Sequence, residues 1–152
     1  MRELYSLRPA TPADYDFLWL AVKSTMQDYV TAIWGWDEDW QQHRFRDNFQ
    51  NSNWQIIRVD VIDVGGLQFY ARPQEADLFL SNIHILAKFQ GRGIGTAIVR
   101  DLIAQAVATN IPLTLNVLKS NPDALRLYQR LGLHVTAENP ERYFMSSVVE
   151  SG

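Results

Sequence analysis

A glycine-rich turn between an apolar strand-like segment and an apolar helix-like segment constrains the fold of this chain more than any other feature. The turn is Gln90–Thr96 and contains Gly91, Gly93 and Gly95. The segment before it, Leu78–Leu86, is short and apolar, and in Ile94–Ala108 apolar residues recur at roughly helical spacing. The order strand, glycine turn, helix leaves free backbone amides at the positive end of a helix dipole, where a phosphate group can bind.

The composition restricts the class of protein and its partners. A length of 152 residues fits one domain, and we expect a single domain over residues 1–152. The net charge of -3 and the lack of a basic stripe argue against nucleic acid as a partner. Without cysteine there is no disulfide framework, thiolate metal site or cysteine nucleophile. The polar N-terminus and the absence of a long apolar run predict a cytoplasmic protein that binds no membrane.

The pattern of apolar residues predicts a mixed α/β order of elements. The N-cap and proline at Thr11–Asp14 predict the start of the first helix, and Asp60–Gly66 is rich in turn-forming residues. The predicted strands are Leu4–Leu7, Trp54–Val59, Leu67–Ala71, Leu78–Leu86, Leu113–Leu118, Leu133–Ala137 and Tyr143–Val149. The predicted helices run from Thr11 to about Tyr29, over Gln41–Phe49 and Ile94–Ala108, and from Asn121 to Gly132.

The strand before the glycine turn contains an irregularity. Leu78 and Leu80 alternate in one phase, whereas Ile83 and Ile85 alternate in the other. A bulge at Ser81–Asn82 would shift the phase by one residue. A strand buried on both faces is the alternative, because such a strand needs no fixed phase.

The spacing of the glycines separates three kinds of phosphate-binding turn. The dinucleotide fingerprint G-x-G-x-x-G fails, because its last position falls on Thr96 or Ile98. The nucleoside triphosphate loop fails as well, because the chain has no Gly-Lys-Ser/Thr. What remains is Gln-x-x-Gly-x-Gly at Gln90, Gly93 and Gly95. A tight glycine turn without any ligand is the other interpretation.

The remaining pattern closely resembles the acyl-CoA pyrophosphate loop of the GNAT superfamily of N-acetyltransferases. A second segment, Asn121–Leu133, is similar to that superfamily's Asn-x-x-Ala-x-x-Leu-Tyr-x-x-x-Gly-Phe and departs from it at Leu133, an apolar packing position. The resemblance implies a mixed, mostly antiparallel central sheet flanked by helices, with a bulged strand before the pyrophosphate loop. It also implies acetyl-CoA as acyl donor, an amine as acceptor and no metal.

The resemblance assigns residues to the acetyl-CoA site. The pantetheine arm would pair with the backbone of Ile83 and Ile85, with the Ile85 amide as oxyanion donor. Asn121 would cap its helix and reach the arm, and Asn116 is a further candidate for contacting cofactor or substrate. The pyrophosphate would be bound by Gln90, Gly91, Arg92, Gly93, Ile94, Gly95 and Thr96. A solvated surface cation is the alternative role for Arg92.

Two side chains are candidates for the chemistry. By resemblance, the hydroxyl of Tyr128 lies near the sulfur of CoA and can protonate the leaving thiolate, although a core tyrosine is the plain alternative. His84 alternates away from Ile83 and Ile85, which would direct it to the cleft as a general base. Asp77, Asn82 or a chain of waters could serve instead, and His84 could simply be a half-exposed strand histidine.

The acceptor is the least defined part of the sequence. By resemblance it enters near the first two helices, where tryptophans and acids cluster in Trp34–Trp40. These residues could receive a cationic amine, but we prefer helix packing for the tryptophans and helix initiation for the acids. The sequence thus predicts an N-acetyltransferase acting on a primary amine. An acyl-CoA-binding sensor or scaffold is the alternative, a dinucleotide oxidoreductase is disfavoured, and a homodimer through the last strands is possible.

Overall fold

The computed structural model describes residues 4–50 and 53–148. Its strands are β1 (Ser6–Pro9), β2 (Trp54–Val59), β3 (Ile62–Arg72), β4 (Asp77–Ile85), β5 (Leu113–Leu118), β6 (His134–Glu138) and β7 (Arg142–Ser146). Its helices are α1 (Tyr15–Trp34), α2 (Glu38–Gln50), α3 (Ile94–Thr109) and α4 (Pro122–Arg130). The strands form one seven-stranded sheet in the order β1-β2-β3-β4-β5-β7-β6. In the described part of the chain, no helix has the length and apolar character needed to cross a bilayer.

The chain divides into two compact units. The first comprises Met1–Gln68 with Asn82–Ile94, and the second comprises Phe69–Ser81 with Gly95–Gly152. The organisation of residues 1–152 as a single domain stays a prediction.

In the first unit, β1 and β2 pair antiparallel, and so do β2 and β3. Leu18 of α1 and Phe45 of α2 are buried with Trp54 and Ile56 of β2 in one core cluster. Apolar side chains of both helices therefore cover β2.

The start of the first helix is held by a buried carboxylate. A 3-10 turn, Pro12–Asp14, precedes α1, and the backbone amide of Thr11 donates to Asp14 Oδ2 at 2.8 Å. Arg8 binds both oxygens of the same carboxylate at 2.9 Å. The predicted N-cap is thus joined to β1 through a bidentate ion pair.

In the second unit, β5 is parallel to β4 over Leu78–Leu80 and antiparallel to β7, and β6 pairs with β7. The deeply buried side chains of this unit are Ile98, Val99, Leu113, Leu115, Leu133 and Met145. They come from α3, from strands β5 and β7, and from the residue that directly precedes β6. Every residue of β6 is exposed.

Several predicted boundaries were wrong for identifiable reasons. The first helix continues past Tyr29 to Trp34, because the residue that ends it is Gly35, with φ of 75°. The first strand is Ser6–Pro9 rather than Leu4–Leu7, and the last strand ends at Ser146. The predicted end at Val149 lies outside the described residues.

The prediction that Asp60–Gly66 is a turn was wrong in most of its length. Only Asp60 and Val61 lie between β2 and β3. Gly65 and Gly66 are strand residues in close contact with neighbouring atoms: an added Cβ would lie 2.0 Å from the carbonyl oxygen of His84 and 2.5 Å from Leu18 Cδ2, respectively. These glycines therefore serve close packing, which also favours a residue without a side chain.

Two contacts along β3 and β4 bear on the predicted bulge. Asn82 Nδ2 donates to Gln68 Oε1 at 2.8 Å, and the rings of Tyr70 and Phe79 lie 5.9 Å apart. The contacting residues are two apart on β3 and three apart on β4. Since side chains alternate between the faces of a strand, β4 contains one extra residue between Phe79 and Asn82, as the predicted bulge requires.

Candidate active site

The glycine turn has the backbone geometry of an open anion cradle. Gly91 and Gly93 have φ of 77° and 81°, a region that favours glycine, and α3 begins directly after them at Ile94. Among the described residues, no heavy atom lies within 4 Å of an added Cβ at Gly91, Gly93 or Gly95, their own neighbours aside. The space above the turn is therefore accessible to a ligand, and the first amides of α3 are at the same place.

Two cations lie beside the turn. The guanidinium of Arg92 is 5.3 Å from the ring centroid of Phe89, and Lys88 Nζ is 5.5 Å from it. Phe89 is buried, whereas both cations are exposed. Sequence reasoning missed Lys88, although its position two residues before Gln90 could have suggested it.

Gln90 connects the turn to the strand before it. Its Nε2 donates to the carbonyl oxygen of Ile85 at 2.7 Å. The backbone amide of Leu86 donates to the carbonyl of Val64 at 2.9 Å, which holds the end of β4 against β3. The residue predicted to bind the pyrophosphate thus has a partner within the protein, and Ile83 and Ile85 are half-buried on the strand that it fixes.

His84 does not face an open cleft as expected. Its side chain is 4% exposed, and both ring nitrogens have partners: Nδ1 is 2.7 Å from Thr25 Oγ1, and Nε2 is 2.8 Å from Asn82 Oδ1. The ring stacks on Trp54, with 6.3 Å between centroids. Burial lowers the pKa of His84 to about 4, so the imidazole is neutral at neutral pH.

Asp77, one of the alternative bases predicted beside His84, is also bound. Arg72 donates to both of its oxygens, and the hydroxyl of Thr114 donates to Asp77 Oδ2 at 2.7 Å. The hydrogen bonds from Arg72 are the main reason that the pKa of this buried carboxyl is lowered. Asp77 therefore acts as an anion within an ion pair.

Tyr128 lies on α4 in the second unit. Burial raises its pKa to about 12, so the phenol keeps its proton at neutral pH. At the start of the same helix, Asn121 Oδ1 accepts from the amide of Ala124 at 3.2 Å, which confirms the predicted cap. Asn116 is exposed on β5, opposite Phe144 of β7.

The segment of tryptophans and acids is partly packed and partly exposed. Trp36 stacks on Trp19 and donates to Glu38 Oε2 at 2.6 Å. Asp37 accepts from the amide of Trp40 at 3.0 Å, as expected for an acid that begins a helix. Trp34 and Trp40, in contrast, are 50% and 55% exposed, so the packing preferred for the tryptophans is seen most directly at Trp36.

The predicted site residues fall into one group in each unit. Ile83, His84, Ile85 and the turn Gln90–Ile94 belong to the first unit, whereas Gly95, Thr96, Asn116, Asn121 and Tyr128 belong to the second. The fold and the turn define the class of the protein: a mixed α/β protein with a turn suited to an anion at the start of a helix.

Comparison with known proteins identifies the family. The model of the Acetyltransferase (GNAT) family matches residues 19–133, and the chain therefore belongs to that family.

Solved structures with the same fold include PaiA N-acetyltransferase from Thermoplasma acidophilum, in complex with coenzyme A. It is 12% identical, with a TM-score of 0.73 and coverage of 95% of this chain and 99% of that one. An acetyltransferase from Thermus thermophilus is 21% identical, with a TM-score of 0.72 and coverage of 95% and 96%. Ard1 from Thermoplasma volcanium is 17% identical, with a TM-score of 0.70 and coverage of 97% and 99%. At these identities the likeness establishes the fold.

Proposed function

We propose that this protein is an N-acetyltransferase that moves the acetyl group of acetyl-CoA directly to a primary amine. The observation that carries the proposal is the glycine turn, where two glycines with positive φ and two exposed cations precede the first turn of α3. Membership of the GNAT family and the coenzyme A in the PaiA structure support a CoA thioester as the donor.

The donor's two halves have separate partners in this proposal. Backbone amides of Gly91–Thr96 bind the pyrophosphate, and Arg92 and Lys88 add positive charge. The pantetheine arm pairs with the backbone of Ile83 and Ile85, and the Ile85 amide stabilises the oxyanion. Asn116 and Asn121 remain candidates for contacts with the arm.

In the proposed reaction the neutral amine attacks the thioester carbon, so that a C–N bond forms as the C–S bond breaks. Tyr128 donates its phenolic proton to the departing thiolate, and the proton lost by the amine replaces it through solvent. The pKa of about 12 supports this role, because the phenol enters the reaction protonated.

A base role for His84 stays a prediction, and its contacts favour another role. A base needs a lone pair that the substrate can reach, but both nitrogens of His84 are bonded inside the protein. Asp77 is similarly held by Arg72. A chain of waters is therefore the route we propose for the amine's proton.

The test compares the natural chain with Tyr128→Phe. Acetyl-CoA binding is measured by calorimetry, and thiol release is measured against a panel of primary amines. We expect Tyr128→Phe to bind acetyl-CoA normally and to release thiol at least tenfold more slowly, within the usual range for general acid catalysis of about 10²–10⁴-fold. Tyr143→Phe, a half-buried tyrosine of β7, serves as the matched control and should keep full activity.

Two outcomes would contradict the proposal. If the natural chain binds acetyl-CoA but no amine raises thiol release above background, the protein is an acyl-CoA-binding sensor or scaffold. If it does not bind CoA at all while NAD raises its melting temperature, the result favours a dinucleotide-binding oxidoreductase instead.

A further inference from the structure

A chain of buried and half-buried polar side chains, here called the relay, connects α1, α2, β3 and β4 in the first unit. From Thr25 Oγ1 it passes to His84 at 2.7 Å and from His84 to Asn82 at 2.8 Å. Asn82 Nδ2 donates to Gln68 Oε1 at 2.8 Å, and Gln68 Nε2 donates to Asn48 Oδ1 at 2.8 Å. Gln68 and His84 are 3% and 4% exposed, so two members are removed from water.

The donors and acceptors of the relay indicate which ring nitrogen of His84 carries the hydrogen. The oxygen of Asn82 faces Nε2, and an oxygen accepts, so Nε2 carries the hydrogen. Nδ1 of the neutral ring is then the acceptor, and the hydroxyl of Thr25 lies 2.7 Å from it. The same hydroxyl lies 2.8 Å from the carbonyl oxygen of Ala21, so its one hydrogen is divided between these two acceptors. A side chain of α1 therefore covers the lone pair that a base would use.

The backbone around His84 is fixed by separate contacts. Gly65 lies against the carbonyl of His84, and Leu86 donates to the carbonyl of Val64. The carbonyl of Ile85 accepts from Gln90. The relay and these contacts hold the same short segment, Asn82–Leu86, from different sides.

We propose that His84 is a positioning residue: with Thr25 and Asn82 it holds the Asn82–Leu86 backbone in the conformation that binds the acyl donor. This inference rests on the proposed function, because Ile83 and Ile85 are the residues whose backbone would pair with the pantetheine arm. Burial of the neutral ring against Trp54 supports it, since the hydrogen bonds of a side chain that is removed from water hold it rigidly.

The main test removes one hydroxyl at the far end of the relay. Thr25→Val keeps the branched shape and removes the hydroxyl that contacts both His84 Nδ1 and the carbonyl of Ala21, and Thr25→Ser retains that hydroxyl. We expect Thr25→Val to raise both the Kd and the KM for acetyl-CoA about three- to tenfold, as for the loss of one hydrogen bond, with kcat nearly unchanged. Thr25→Ser should restore the affinity.

Thr31→Val is the matched control. Thr31 lies on the same helix, and its hydroxyl donates only to the carbonyl of Gln27, at 2.6 Å, outside the relay. It should bind acetyl-CoA as the natural chain does. In the unliganded protein, amide hydrogen exchange over Asn82–Leu86 should be faster in Thr25→Val than in Thr31→Val.

A second variant covers the case in which Thr25→Val folds poorly. Asn48→Ala removes the half-buried partner of Gln68 at the opposite end and leaves Thr25 and His84 in place. It should raise the Kd for acetyl-CoA in the same direction by a smaller factor.

The outcomes separate this inference from the proposed function. If the natural chain binds acetyl-CoA and both relay variants bind it equally well, the positioning role is wrong and the proposed function stands. If Thr25→Val lowers kcat and shifts the acidic limb of the kcat/KM profile at constant Kd, His84 is a base. If the natural chain binds no CoA, both proposals fail.

Discussion

Gly65 lies directly against the carbonyl oxygen of His84, so close that a Cβ on Gly65 would be 2.0 Å from that oxygen and 3.1 Å from the α-carbon of Ile85. Both neighbouring atoms belong to the backbone of β4, which cannot rotate away as a side chain can. The close approach of β3 to β4 therefore depends on the absence of a side chain at this position.

Gly65→Ala should lower the free energy of unfolding by about 2–3 kcal/mol, because the added methyl group overpacks a backbone contact. It should also weaken acetyl-CoA binding, since the displaced residues are His84 and Ile85. Gly95→Ala is the control for stability only, because its Cβ would meet no neighbouring atom and alanine favours a helix. Urea denaturation of the two variants measures the difference, and equal stabilities would contradict the packing argument.

The stability of the protein should fall as the pH is lowered from about 6.5 to about 4. Burial depresses the folded-state pKa of His84 to about 4, below its ordinary value near 6.5, so the unfolded chain binds the extra proton in this range. Stability is fully present above pH 6.5 and is lost as the pH falls through this range, by up to about 3 kcal/mol. Denaturation of the natural chain and of His84→Gln at several pH values measures it.

His43→Gln is the matched control for this pH dependence, because His43 is exposed on α2. It should retain the decline, whereas His84→Gln should show a flatter curve between pH 6.5 and pH 4. Parallel curves for the natural chain and His84→Gln would mean that the burial of His84 does not determine the decline.

A second decline in stability should follow at lower pH. The hydrogen bonds from Arg8, assisted by the amide of Thr11, lower the pKa of Asp14 to about 2. A depressed carboxyl pKa contributes stability above pH 4, which is lost as the pH falls from about 4 to about 2. Arg8→Met should therefore lower the free energy of unfolding at neutral pH by about 1–2 kcal/mol. It should also reduce the loss of stability between about pH 4 and about pH 2.

Lys119→Met provides the comparison for Arg8→Met. Its partner Glu138 is 58% exposed, so this ion pair should contribute less than about 0.5 kcal/mol. If both variants lose the same free energy of unfolding, the bidentate ion pair around Asp14 stabilises the protein no more than the exposed ion pair of Lys119 does.

The cations beside the glycine turn should contribute to donor affinity. Lys88→Gln with Arg92→Gln should raise the Kd for CoA about ten- to a hundredfold and reduce its dependence on salt, because two charged contacts to phosphate are lost. Arg100→Gln removes one exposed charge from α3 and should have little effect on either quantity. Calorimetric titrations at several salt concentrations test this, and an unchanged Kd for the double variant would refute it.

The parts of the fold that depend on local sequence could be predicted, and those that depend on distant contacts could not. The glycine turn and the Asn121 cap are encoded within a few residues, and both were located from the sequence. Thr25 and His84 are 59 residues apart, and neither carries a signal of the other.

Gly65 was misassigned because glycine serves two physical purposes that look alike in a sequence. A turn needs its backbone freedom, whereas a close strand contact needs its lack of a side chain. His84 was expected in a cleft for a related reason: alternation indicates which face a residue occupies but not what covers that face.

The extra residue in β4 reverses the alternation of side chains, so that positions beyond it face the opposite side of the strand from the one that their numbering alone predicts. Upstream of it Leu78 and Leu80 are buried on one face, and downstream of it the buried side chain is His84, on the other face. Deleting one residue at this point would leave the composition almost unchanged and turn every later side chain of the strand over. The imidazole of His84 would lose Thr25, and an isoleucine would occupy the polar environment in its place.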